Sequence, residues 1–178
     1  YSSGSEMKLA YYSFNYLLNS IDSLKRDVDL QSIKLSERIA ILTLIAFTYE
    51  SFLNHAGDQA FRSWGAHMKK KLSPDGKLAL LCEICEVEVN FGSSPFQTFK
   101  EIMSLRNKLA HAETEYLEIS EEASKSRENW PKPDWIKTAE TLDIDRALND
   151  LNSIIGLLQR KMGIPAVPSF LYMEAVNV

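Results

Sequence analysis

Arg106, Asn107 and His111 fall within six consecutive residues of the stretch PFQTFKEIMSLRNKLAHAE, residues 95–113. An imidazole can take or give a proton near neutral pH, and a guanidinium is a fixed cation that offsets charge developing on phosphoryl oxygens. Together they suit RNA cleavage through the ribose 2′-hydroxyl, a reaction that proceeds without a metal. The sequence lacks the carboxylate clusters of metal-dependent nucleases, so no metal ligand and no cofactor is expected.

Helical geometry decides how these residues can meet. On a helix advancing about 100° per residue, Phe99, Ile102, Met103, Leu109 and Ala110 make one apolar side, and Arg106 lies near its middle. A guanidinium there demands a carboxylate. Lys100, Ser104, Asn107 and His111 share a different face. Arg106 and His111 point about 140° apart and cannot address one substrate atom from a single ideal helix. Either the helix ends between them, or a second copy completes the site across a two-fold axis, which would make the protein a homodimer through this helix. The spacing also admits a plain reading: Arg106 as an internal ion-pair partner and His111 as a solvated residue stabilised by the helix dipole.

A second polar feature lies on another helix. Thr43, Glu50 and Asn54 fall within about 40° of one another, with Ser36 extending the stripe along an otherwise apolar surface. Glutamate is seldom buried unpaired, so Glu50 should face a cation, a polar network or a subunit contact. Alternatively, the stripe is one edge shown to water.

RNKLAHAE, residues 106–113, resembles the signature of the HEPN superfamily, the higher-eukaryote and prokaryote nucleotide-binding domains. AFTYESFLNHAG, residues 46–57, is similar to the helix that precedes the signature helix in such domains. The resemblance spans roughly Lys8 to Lys161, although only the signature is specific, and Ala112 stands where Gly is frequent. It implies a four- to five-helix up-and-down bundle that dimerises along the signature helices. In many members it also implies a metal-independent endoribonuclease acting on single-stranded RNA, in toxin–antitoxin pairs, phage defence or RNA processing. Carried over, Arg106 and His111 are catalytic, Asn107 orients the substrate or His111, and Glu50 positions Arg106. Asn54, Ser104, Lys100 and Lys108 are supporting candidates beside them. A nuclease of this kind would have RNA as substrate and a cognate antitoxin as partner, whereas some members are non-catalytic dimerisation or nucleotide-binding modules acting with a partner protein such as a nucleotidyltransferase. A groove lined by Lys100, Arg106, Lys108 and the Lys69–Lys71 cluster beside His111 would favour RNA, and an acidic one the module.

The rest of the chain must position these residues. Its 178 residues are 45% hydrophobic and 25% charged, which excludes a disordered tail, a fibre and a disulfide scaffold. With 20 Lys and Arg against 24 Asp and Glu the net charge is −4, so any contact with nucleic acid must be local. Cys82 and Cys85 form a C-x-x-C without a second pair and read as two half-buried thiols. The apolar run Ile39 to Phe47 is shorter than the roughly 20 residues a membrane span needs. No secretory pattern is visible, and a cytoplasmic protein that does not cross a membrane is expected.

Gly and Pro fall between periodic segments and no strand-like alternation is evident, so the fold expected is all-α with no sheet. Residues 1–6 read as a ragged end and residues 7–178 as one domain. Helices are expected over about Lys8–Asp29 (Leu9, Tyr12, Tyr16, Ile21 and Leu24 inward), from Ser36 to beyond Asn54 as the central helix, and from the Ser73–Gly76 turn to Asn90. Two more are expected from Ser94 or Pro95 to Ala110 and over Asp143–Lys161. Ala112 to Trp135, rich in Glu and carrying two prolines, reads as a mobile loop. The apolar tail from Pro165 should pack on the body or on a partner.

Overall fold

The computed structural model describes residues 7–111, 114–166 and 173–177, and it is an all-α bundle. Six α-helices build it: α1 (Ser13–Asp27), α2 (Leu35–Ala60), α3 (Pro74–Ile84), α4 (Phe96–His111), α5 (Asp134–Thr141) and α6 (Ile144–Met162). That exceeds the four to five expected, the eight-residue α5 being the addition. The central helix is α2, against which α1, α3, α4, α5 and α6 all pack. Ile41, Leu42, Ile45, Ala46, Tyr49, Phe52, Leu53 and Ala56 bury nearly all of its middle. Its length and mean hydropathy of 1.2 would allow it to cross a membrane, and here half of its apolar stretch is buried under the other helices while Phe47 stays exposed.

Local chemistry sets the boundaries. Asp143 caps α6 by accepting from the Arg146 N–H at 3.0 Å, and Gly163, at φ 66°, closes it in the left-handed conformation glycine tolerates. Ser73 accepts from the Gly76 N–H at 3.1 Å, so the SPDG sequence is the first turn of α3 rather than a turn ahead of it. That helix stops at Ile84 and not near Asn90, because Glu86 takes a left-handed φ of 54°. Arg38 on α2 donates to the carbonyls of Ala139 at 2.9 Å and Leu142 at 2.5 Å, satisfying the end of α5. After α2 the chain turns back through Trp64–Met68, and the Trp64 ring lies so close that a Cβ on Gly57 would sit 2.0 Å from it.

Four expectations need correction. The first helix begins at Ser13, because residues 7–11 form a strand, β1 (Met7–Tyr11), paired antiparallel with β2 (Met173–Asn177). Part of the apolar tail thus pairs with the start of the chain, and the expectation of no sheet fails for this two-stranded ribbon. Within α1 the inward stripe is Phe14, Leu18 and Ile21, whereas Tyr16, at 61% exposed, and Leu24 face outward. Cys82 and Cys85 are both buried, more than the half-burial expected, and burial pushes the Cys82 thiol up to about 11 and raises Cys85 as well. Residues 114–133 have no α-helix and only two single turns, Ala123–Lys125 and Arg127–Asn129. Residues 112 and 113, within the expected loop, lie outside the described residues, as do residues 1–6.

Candidate functional site

The site is built outward from α4, whose inward face is Phe96, Thr98, Phe99, Ile102, Met103 and Leu105. Phe99 meets Tyr49 of α2 edge to face, with ring centroids 5.0 Å apart. One turn past Ile102 and Met103, near the end of the helix, the same face presents Arg106. Leu109 is partly buried there, while Ala110, expected on the apolar side, is exposed. A guanidinium at the margin of an apolar core needs an anion. Arg106 finds one in Glu50: its Nη2 donates to Glu50 Oε2 at 2.7 Å, and its Nη1 donates to Asn107 Oδ1 at 2.9 Å. Its Cζ also lies 5.9 Å from the centroid of the Phe47 ring, one turn before Glu50 on α2.

The polar stripe on α2 therefore faces a cation rather than simply water. The Glu50 and Arg106 side chains remain 26% and 24% exposed. The pair sits at the rim of the core, where pairing and partial hydration share the cost of desolvation. Ser36, farther along the stripe, is exposed, and Asn54 places a buried Oδ1 without a hydrogen-bond partner among the described residues.

Lys77 is the residue the sequence reading missed. It is buried at 2% exposure on the inward side of α3 beside Leu78 and Leu81, and its Nζ lies 3.8 Å from Glu50 Oε1. Burial pushes its pKa down, Glu50 opposes that shift, and Lys69 and Arg106 add to it. The signal was legible in principle: a lysine at the spacing of Leu81 and Cys85 shares their inward face and must reach a carboxylate. Glu50 is thus a single anion between two cations from different helices, leaving an excess positive charge at the rim.

The remaining candidates do not converge on this cluster. His111 is exposed at the last residue of α4, on the face turned about 140° from Arg106, and Asn107 is exposed between them. Lys100 and Ser104 line a groove with Phe91, Gln97, Glu101 and Thr138, Lys100 lying 5.8 Å above the Phe91 ring. An adjoining groove of about 570 Å³ between α4, α5 and α6 is lined by Lys108, Lys137 and Arg146, matched by Glu101, Asp134 and Asp143. Lys69 faces Asp58 at 3.8 Å. Among the described residues Lys100 and Lys108 line grooves in which Arg106 takes no part and acidic and basic side chains balance, whereas Lys69 lies near enough to Lys77 to lower its pKa. Among the described residues no three His, Cys, Asp or Glu side chains converge as metal ligands would. Comparison with family models, with curated proteins and with solved structures finds no match to this chain.

Proposed function

We propose that this chain is a HEPN-type endoribonuclease that cuts single-stranded RNA without a metal, with a composite site formed by two copies meeting along α4. The observation that supports the reading is the Glu50–Arg106 pair at 2.7 Å. It fixes a partly exposed guanidinium five residues before the exposed His111, at the spacing of the sequence signature. In the reaction, the 2′-oxygen attacks the adjacent phosphorus and expels the 5′-oxygen, leaving a 2′,3′-cyclic phosphate. One imidazole takes the 2′-hydroxyl proton and the second copy returns one to the departing 5′-oxygen, which resolves the divergence of Arg106 and His111 on a single helix. Arg106 offsets the charge gathering on the phosphoryl oxygens, and Asn107 holds its other guanidinium nitrogen. A cytoplasmic toxin or phage-defence effector, restrained by a cognate antitoxin, is the setting in which such an activity would operate.

A second reading, a non-catalytic helical module acting with a partner protein, is favoured by one observation. The groove beside Lys108 is balanced in charge and offers RNA no basic track. Incubating the purified chain with single-stranded RNA, with and without chelator, separates the two. Cleavage that persists in chelator, leaves cyclic phosphate ends and falls by about 10²–10⁴-fold in His111→Ala supports the nuclease. An intact substrate, or cleavage that His111→Ala leaves unchanged, favours the module.

A further inference from the structure

The segment after α4 shows a surface that the nuclease reading does not use. Residues 114–132 are exposed almost throughout, yet they carry Tyr116, Leu117, Ile119 and Trp130, large apolar side chains that are 92%, 43%, 42% and 48% exposed. Leu117, Ile119, Trp130 and Pro131 line a groove of about 400 Å³ with Glu115 and Ser124. Isolated apolar residues on a surface are ordinary, but several gathered at one groove mark a contact. The segment is shaped rather than loose: the Ser124 N–H bonds the Ser120 carbonyl at 3.0 Å, and Lys132 holds Glu140 of α5 at 2.7 Å.

Charge identifies the occupant. Glu115, Glu118, Glu121 and Glu122 lie in a stretch with no Lys or Arg, and none of the four enters an ion pair among the described residues. Two of the cations nearby are already engaged, Lys132 by Glu140 and Arg127 over the Trp130 ring at 5.7 Å. RNA would be repelled here, and so would the same glutamate-rich segment of a second copy meeting it face to face. We infer that residues 114–132 are a docking surface for a basic amphipathic segment of a partner protein. Its apolar side chains would enter the Leu117–Trp130 groove while its lysines or arginines meet Glu115 to Glu122. The inference is independent of the nuclease reading, since it uses no residue of α4.

The test uses the full chain and a labelled amphipathic peptide built of lysine and leucine, followed by fluorescence anisotropy and by hydrogen exchange of residues 114–132. Expected are saturable binding that protects this segment and weakens as salt rises, and a loss of about tenfold or more when a central apolar anchor is removed in Trp130→Ser or Leu117→Ser. A comparable loss is expected when the four glutamates become glutamine. A peptide with serine in place of leucine, and one with glutamate in place of lysine, should both bind poorly. These sites are exposed, so unchanged circular dichroism is expected of every variant. Absent binding, binding that all variants share, or protection elsewhere overturns the inference. So does a homodimer that Trp130→Ser dissociates, or adsorption of the chain to zwitterionic vesicles that the same variant abolishes.

Discussion

Near its start α4 is tied to α6 by neutral hydroxyls on a carboxylate: Ser94 and Thr98 donate to the buried Asp150 at 2.7 and 2.6 Å. Near its end it is tied to α2 by a guanidinium, with Lys77 behind it, on the half-buried Glu50. The first tie leaves one negative charge inside and closes on itself, and burial together with nearby Asp150 drives the Tyr49 hydroxyl's pKa upward. The second has one positive charge to spare and reaches the surface. A carboxylate satisfied by hydroxyls serves position alone, whereas a carboxylate outnumbered by cations leaves charge available to an anion from outside.

Breaking the second tie should have the largest effect on stability. Removing one partner of a fully buried pair costs about 3–5 kcal/mol, and partial exposure brings Glu50→Ala to roughly the lower end of that range. For a domain of this size that is a fall of about 6–12 °C in Tm, readable by thermal circular dichroism. A drop smaller than that of the next variant would mean that hydration, not Glu50, sustains Arg106. Asp150→Ala should cost less, about 1–3 kcal/mol, because the groups it strands are neutral donors. An equal or larger cost would erase the distinction drawn between the two ties.

Lys77→Met sharpens the comparison within the second tie. It removes a desolvated ammonium while Glu50 keeps Arg106 at 2.7 Å, so urea denaturation should show a change within about 1 kcal/mol of zero. A loss matching Glu50→Ala would make Lys77 the dominant partner instead. His111→Ala should be smaller still, within about 0.5 kcal/mol, as expected of an exposed helix-end residue. A final variant checks that pH effects arise elsewhere. Burial lowers the pKa of His55 below its usual 6.5, so the unfolded chain binds more protons as pH falls through that value. The stability contributed by neutral His55 is present above about pH 6.5 and declines below it, and His55→Phe should flatten that slope in denaturation series between about pH 7 and 5.

The second tie was legible because it consists of polar intrusions on apolar helical faces, where period and pairing rules leave few alternatives. Each of Glu50 and Arg106 called for a charged partner on that ground, and the family resemblance set the two together. Lys77 belongs to the same class and escaped only because the apolar content of α3 drew attention to its cysteines. The first tie was not legible, since Ser94, Thr98 and Asp150 are ordinary polar residues until the packing of α4 on α6 is known. The ribbon of β1 and β2 was hidden for a different reason: each strand is five residues long, and pairing between segments so far apart leaves no local period. The short α5 follows a proline-rich stretch and draws its order from Arg38, a contact 101 residues away in the chain.

That ribbon sets Met7 opposite Asn177, so the described residues start and finish side by side. Between these two residues the fold is almost a ring, open at one seam. Joining Asn177 to Met7 with a short linker and cutting instead within the irregular, exposed residues 114–133 would give a circular permutant with the same helices in a new order, because neither operation disturbs the core. The adjacency also means that a host chain leading into Met7 and out of Asn177 would enter and leave at the same place, so this bundle could be inserted into a loop of a host protein without prying that loop apart.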